Sequence, residues 1–176
     1  NLGIMFSNGK GTVKDHSEAF KWFSIAAKQG YANAQYSLAQ MYDLGNGTIQ
    51  DFKEAVKWYT LSASQGVAKA QYNLGVLHAD GTGTIQDHKE AVKWYTLSAE
   101  QGYAPAQNNL AVMYDRGLGV LQDLVYAHMW VNIATANGNE GSLKNRDIIA
   151  KKMTPSQIEK AQDLARECVK KNYKGC

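Results

Sequence analysis

Residues 34–66 read AQYSLAQMYDLGNGTIQDFKEAVKWYTLSASQG, and residues 70–102 repeat nearly the same string, AQYNLGVLHADGTGTIQDHKEAVKWYTLSAEQG. The step between the two is 36 residues, and the same step relates many other positions of the chain. A period of this length is typical of repeat proteins, in which each copy buries its apolar face against its neighbours. The positions that recur at this step include Asp15, Asp51, Asp87 and Asp123, and all four tryptophans, Trp22, Trp58, Trp94 and Trp130.

Each copy is predicted to form two helices. In the copy quoted first, Ala34, Leu38 and Met41 follow the helical period, which indicates one apolar stripe. Gly45 and Gly47 then predict a left-handed helix end followed by a flexible loop. We call this first helix of each copy helix A, and we expect it at residues 33–44, 69–80 and 105–116, with only its end present at 2–8.

The second helix, helix B, begins at the recurrent aspartate, a residue favoured at the N-cap because its carboxylate accepts from the unpaired first-turn amides. A glutamate stands three residues later in three copies, which predicts the reciprocal bonds of a capping box. The tryptophan of helix B is expected to fill the space between neighbouring copies. These glutamates are Glu18, Glu54 and Glu90.

Residues 141–176 depart from the repeat and are more polar, as a terminal capping unit must be. One capping helix is expected at 141–153. Thr154, Pro155 and Gln157 predict the start of a second, which runs to about Lys171. The predicted fold is therefore all-α: a right-handed α/α superhelical solenoid of 36-residue helix-turn-helix repeats in residues 1–140, closed by a C-terminal capping helix pair in 141–176.

The recurring residues resemble those of the Sel-one-like repeat family, a relative of the tetratricopeptide repeats. The resemblance is carried by Ala34-Gln35, Leu38, Met41-Tyr42, Gly45, Gly47, Asp51, Ala55, Trp58-Tyr59, Ala63 and Gly66, and by the two copies that follow. It implies a non-catalytic scaffold or adaptor, of the kind this family supplies in protein assembly, signalling, secretion and host interaction. The stretch from Arg146 to Arg166 resembles the ends of many bacterial members.

Positions on helix A that change between copies are free of the packing constraint and are candidates for recognition. One such position holds Asp43, Ala79 and Asp115. By analogy with tetratricopeptide solenoids, this variable face is expected to be concave and to bind a peptide or protein partner. Amides can pair with a peptide backbone, and tyrosines offer rigid contact area. The candidate residues are Tyr36, Gln40, Tyr72, Asn73, Val76, Asn108, Asn109 and Val112.

Other classes of function find little support in the residues. No nucleophile–base motif, phosphate-binding loop or metal-ligand spacing is present, so we expect no enzyme, cofactor or metal. A net charge of +3, with no basic stripe on the variable face, argues against nucleic-acid binding. No apolar run has the ~18 residues of a membrane span. Two alternatives stay open: an architectural spacer that positions an N-terminal domain, and an enzyme or ligand receptor.

Cys168 and Cys176 are the only cysteines and allow two interpretations. They are free thiols if the protein is cytoplasmic, or they form a disulfide if it is periplasmic or secreted. The even count and Gly175, which allows the tail to fold back, favour the disulfide. The last ten residues also resemble the ends of exported family members. We expect a monomer, with self-association possible through the apolar end that an incomplete first helix A leaves uncovered.

Overall fold

The computed structural model describes residues 2–176, and in that range it consists of ten α-helices without a β-strand. The chain divides into two compact units, Asn1–Gln86 and Asp87–Cys176. The first unit holds α1 (Leu2–Asn8), α2 (His16–Lys28), α3 (Ala32–Leu44), α4 (Phe52–Ser64) and α5 (Ala68–Asp80). The second holds α6 (His88–Ala99), α7 (Ala104–Arg116), α8 (Leu124–Ala136), α9 (Ser142–Ala150) and α10 (Pro155–Lys170).

Helices α1, α3, α5 and α7 are the A helices, and α2, α4, α6 and α8 are the B helices. The A helices begin and end within one residue of their predicted bounds, and each B helix begins directly after its recurrent aspartate. The all-helical repeat fold is thus confirmed. Within each unit the consecutive A and B helices pack against each other, and in the second unit both α9 and α10 pack against α8.

The start of each B helix is capped as predicted, but not by a capping box. Asp51 Oδ1 accepts from the backbone N–H groups of Lys53 at 3.0 Å and Glu54 at 3.1 Å. The N–H of Asp51 itself donates to the carbonyl of Tyr42 at 3.0 Å, so it does not need the glutamate. Glu54 pairs instead with Lys57 and with the indole N–H of Trp58, both at 3.0 Å. Within residues 2–176 the reciprocal box occurs only at Thr154 and Gln157.

A buried glutamine fastens each complete A helix to the B helix before it. The side-chain amide of Gln35 donates to the carbonyl of Ala27 at 3.2 Å, and that of Gln71 donates to the carbonyl of Ala63 at 3.1 Å. These carbonyls lie in the last turn of a helix, where the backbone has no intrahelical donor. The glutamines are therefore structural, although their polarity suggests a surface position.

The loop between helices A and B is tightly packed, and the prediction of a flexible loop is wrong. Gly45 ends α3 with φ of 68°, as expected for a left-handed C-cap. The second glycine of the loop lies against the first turn of the preceding B helix. A Cβ at Gly47 would overlap the backbone carbonyl of His16, and one at Gly83 would overlap that of Phe52.

The tryptophans do not share one environment. Trp58 is only 9% exposed and lines a cleft together with Phe20 of α2 and Tyr42 of α3. Trp94 and Trp130 are also buried. Trp22 is 38% exposed, because residues 2–176 contain no B helix ahead of α2 to cover it.

The last residues fold back onto the second unit. Cys168 and Cys176 form a disulfide, so of the two interpretations the sequence allowed, the structure has the bridged one. The hydroxyl of Tyr173 donates to Asn137 Oδ1 at 3.1 Å, and the backbone N–H of Gly175 donates to Glu100 Oε1 at 3.0 Å. The tail is therefore held by the bridge, by these two hydrogen bonds, and by backbone bonds such as that from the N–H of Tyr173 to the carbonyl of Cys168 at 2.9 Å.

Candidate binding face on the A helices

The eight residues proposed for recognition all lie on A helices, and all are partly exposed. The first unit carries Tyr36 and Gln40 on α3, and Tyr72, Asn73 and Val76 on α5. The second unit carries Asn108, Asn109 and Val112 on α7. Their role in binding remains a prediction, but several have internal partners that the repeat did not reveal.

In the first unit, two of these residues converge on the buried phenol of Tyr59. Tyr59 belongs to α4 and has no exposed surface. Its hydroxyl donates to Asp43 Oδ2 at 3.3 Å and accepts from Asn73 Nδ2 at 2.9 Å. The ring of Tyr36 lies 6.0 Å from the ring of Tyr59, centroid to centroid. One hydroxyl from a B helix thus joins polar side chains of two successive A helices.

Burial controls the electrostatics of this cluster. Desolvation raises the pKa of the Asp43 carboxyl, and the hydrogen bond from Tyr59 acts in the opposite direction. Burial, and next the nearby charge of Asp43, raise the pKa of the Tyr59 hydroxyl far above its ordinary value. Tyr59 is therefore neutral and serves as a donor. Among residues 2–176, no cation pairs with Asp43, and its second carboxylate oxygen has no hydrogen-bond partner.

In the second unit, the corresponding face is already engaged by the capping segment. Asn108 Oδ1 accepts from Asn145 Nδ2 of α9 at 2.9 Å. The carboxylate of Asp115, which occupies the same repeat position as Asp43, accepts from Lys152 Nζ at 2.7 and 2.8 Å. The side chain of Asp115 is only 12% exposed beneath this lysine. The Asn145 amide and the Lys152 ammonium group of the capping segment therefore already bind the polar side chains on this part of the face.

An apolar cleft of about 710 Å³ opens beside α1 in the first unit. Its lining includes exposed residues from the start of the described chain, among them Ile4 at 52% and Ile25 at 50%. Gln40 lines a separate cavity of about 270 Å³ together with Ile4 and His16. Apolar surface is therefore available at this end of the unit. The apolar cleft is lined by Leu2, Gly3, Ile4, Trp22, Phe23, Ile25, Ala26, Gln29, Tyr31, Asn33, Ala34 and Ser37.

The sequence reasoning missed Tyr59, Asn145 and Lys152. Tyr59 is one of the residues that recur with the repeat, and a tyrosine that recurs at a buried position needs a partner for its hydroxyl. The variable polar positions Asp43 and Asn73 on the adjacent A helices were the available partners. The described part of the chain contains no group of three or more His, Cys, Asp or Glu arranged to hold a metal ion. Of its helices, none is both long enough and apolar enough to cross a membrane.

Comparison with known proteins identifies the repeat. The Sel1 repeat model matches residues 1–31, 32–67, 68–103 and 104–139. Among solved structures, a Sel1 repeat protein from Oxalobacter formigenes is 32% identical with a TM-score of 0.74, covering 95% of this chain and 61% of that one. A protective antigen of uropathogenic Escherichia coli strains, described as displaying an SLR fold, is 30% identical with a TM-score of 0.58, covering 98% of this chain and 46% of that one.

Helicobacter pylori cysteine-rich protein B has a TM-score of 0.59 at 18% identity, covering 76% of this chain and 97% of that one, and supports the fold alone. A search of curated proteins finds no match. The chain spans less than two thirds of the first two solved relatives. Sel1 repeat proteins are generally non-catalytic scaffolds that bind protein partners. With four consecutive matches that cover residues 1–139, this chain belongs to the Sel1 repeat family.

Proposed function

We propose that this chain is a protein-interaction module that binds a peptide or protein through the exposed faces of its A helices. The observation that carries the proposal is the composition of that face in the first unit. It presents two tyrosines, a glutamine and a valine at positions that vary between copies, while the stripe toward the core is nearly constant. Tyrosines and amides are well suited to binding an extended peptide, because they combine contact area with hydrogen bonding.

The arrangement of Asn73 adds to this argument. Its Nδ2 group donates to Tyr59, which fixes the orientation of the amide and leaves its oxygen without a hydrogen-bond partner among the described residues. An acceptor that is held in place before binding loses less conformational entropy on binding a backbone N–H. Val76, one turn later on α5, adds apolar surface on the same side.

We further propose that the protein works outside the cytoplasm, in the periplasm or after secretion. The disulfide between Cys168 and Cys176 supports this location, since such bonds persist in oxidising compartments. Fractionation of the native host tests it: a cytoplasmic protein with both thiols reduced would exclude the proposal.

The binding function is tested by cross-linking capture from periplasmic and cytoplasmic fractions, followed by binding measurements with the purified captured protein. Wild type is compared with the triple variant Tyr36→Ala, Tyr72→Ala and Asn109→Ala. A matched control, Lys53→Ala with Lys89→Ala, changes exposed residues of B helices. Circular dichroism and thermal unfolding establish that each variant is folded.

We expect a partner that binds wild type and the B-helix control with equal affinity and binds the triple variant at least about tenfold more weakly, as for a loss of hot-spot side chains. Equal affinity for all three proteins would refute the A-helix face as the binding surface. Reproducibly empty captures would instead favour the spacer, in which the repeats only position another domain.

A further inference from the structure

We propose that Asp43 is the docking point for a lysine or arginine side chain of an extended peptide partner. This inference rests on the proposed function, because it names the chemistry that the A-helix face of the first unit recognises. It depends on four residues of that unit: Asp43, Tyr59, Asn73 and Tyr36.

The carboxylate of Asp43 is partly desolvated and is not paired with a cation of the described chain. Asp43 is half-buried and receives one hydrogen bond, from the neutral phenol of Tyr59. Among the described residues no cation offsets its loss of hydration, and one of its oxygens has no hydrogen-bond partner. A partly desolvated carboxylate with a free oxygen gains from a cationic donor, because charge-assisted hydrogen bonds are stronger than neutral ones.

The same repeat position in the other unit binds a lysine. Asp115 stands two repeat steps after Asp43, and Lys152 of the capping segment binds both of its carboxylate oxygens. The chain therefore contains one example of a lysine bound to this position. In the repeat register, the residue that corresponds to Lys152 one step after Asp43 is Asp80, an acid. The first unit therefore does not supply the cation by the route used in the second.

The surroundings of the Asp43 carboxylate suit a long cationic side chain. Tyr59 holds Asp43 on one side and Asn73 on the other, so that both acceptors are oriented by one buried hydroxyl. Tyr36 packs against Tyr59 and supplies aromatic surface beside them. The methylenes of a lysine or arginine can pack on an aromatic ring while the charged end pairs with a carboxylate. The amide oxygen of Asn73 can accept from the peptide backbone.

The test uses pools of short peptides with one fixed central residue and with all other charged residues and cysteine omitted. The four pools carry Lys, Arg, norleucine or Glu at the centre, and each is passed over the immobilised chain at low salt. We expect the Lys and Arg pools to be retained about tenfold more than the norleucine pool, as for a hydrogen bond to a charged group, and the Glu pool least. Raising the salt concentration should reduce the difference.

Two variants locate the effect. Asp43→Asn keeps the shape and the acceptor for Tyr59 but removes the charge, so the four pools should be retained alike. Asp163→Asn removes the same charge from an exposed position of α10 and should leave the preference intact. If Asp43→Asn fails to fold, the inference can still be refuted: a wild-type chain that retains the Lys and norleucine pools alike overturns it.

The outcomes separate this inference from the proposed function. If wild type retains all pools alike and the Tyr36, Tyr72 and Asn109 variant retains none, the face binds peptides but Asp43 does not select a cation, and only this inference fails. A preference for Glu, or a preference for Lys that survives Asp43→Asn, also overturns it. If wild type retains no pool above the triple variant, both the inference and peptide binding on this face are refuted.

Discussion

The indole N–H of Trp58 donates to Oε2 of Glu54, one turn earlier on the same helix, at a distance of 3.0 Å. The bond orients the indole, which lines a cleft together with Phe20 and Tyr42. Replacing Trp58 with alanine should lower the free energy of unfolding by ~3–5 kcal/mol, because it leaves a cavity between consecutive copies. Urea denaturation of wild type and variant measures the loss.

Trp22→Ala is the matched control for this prediction. It removes the same side chain from the same repeat position, where 38% of the residue is exposed. The loss should be clearly smaller, since less apolar surface returns to water. Equal losses for the two variants would show that burial between copies is not what makes Trp58 stabilising.

Alanine substitutions at two glycines of the first unit distinguish the cost of backbone strain from the cost of steric overlap. Gly66 has φ of 88° and open space around its missing side chain, so Gly66→Ala should cost only the strain, about 1–2 kcal/mol. Gly83 has φ of 72°, and a Cβ there would overlap the carbonyl of Phe52, so Gly83→Ala should cost a further ~1–3 kcal/mol. Thermal and urea unfolding compare the two. If Gly66→Ala lowers the free energy of unfolding as much as Gly83→Ala does, the overlap with the carbonyl of Phe52 adds no measurable cost.

The helix bounds, the left-handed helix ends and the aspartate caps were predictable because they are local and occur several times. Repetition turns a weak local preference into a secure assignment, as it did for Asp51 and Gly45. The predicted capping box does not form because the N–H of Asp51 donates to the carbonyl of Tyr42 in the preceding helix. Residue spacing within helix B does not reveal that contact.

The partners of the candidate face were less predictable. Whether Asn73 points to solvent or to Tyr59 depends on how α4 and α5 pack, which the 36-residue period does not specify. The position of the tail was harder still to predict, because the N–H of Gly175 donates to Glu100, which lies 75 residues earlier in the sequence. The disulfide stayed one of two alternatives because sequence alone does not reveal the redox environment.

Removing the disulfide should loosen the end of the chain. The double variant Cys168→Ser and Cys176→Ser should lose about 2–3 kcal/mol of stability in the segment that the bridge closes. Hydrogen exchange of residues 171–176 should accelerate, since hydrogen bonds alone would remain to hold them: the backbone bonds of this last turn and the bonds from Tyr173 and Gly175 to Asn137 and Glu100. Mass spectrometry of the non-reduced wild type should find no free thiol. An unchanged exchange rate in the variant would mean that the hydrogen bonds hold the tail in place without the disulfide.

Stability should also depend on pH through His128 of α8. This residue is 3% exposed, and burial, with a smaller contribution from Arg146, lowers its pKa. As the pH falls through about 6.5, the unfolded chain takes up the proton before the folded one does. The free energy of unfolding should therefore decrease from that pH downward until the folded state is protonated as well, and then level off.

The variant His128→Gln provides the control for this pH dependence, because it keeps a polar side chain and removes the titration. Urea unfolding between neutral and mildly acidic pH should show a weaker slope for the variant than for wild type. The same slope in both proteins would assign the pH dependence to another group.

The close approach at Gly47 and Gly83 has a consequence for how such a chain can change in length during evolution. Each of these glycines lies against a backbone carbonyl of the B helix one copy earlier, at His16 and Phe52. A deletion or duplication of a whole multiple of 36 residues keeps this glycine opposite that carbonyl. Insertions that shift the loop along the B helix bring a residue with a side chain against the carbonyl, so we expect the length of the array to vary among relatives mainly in steps of one copy.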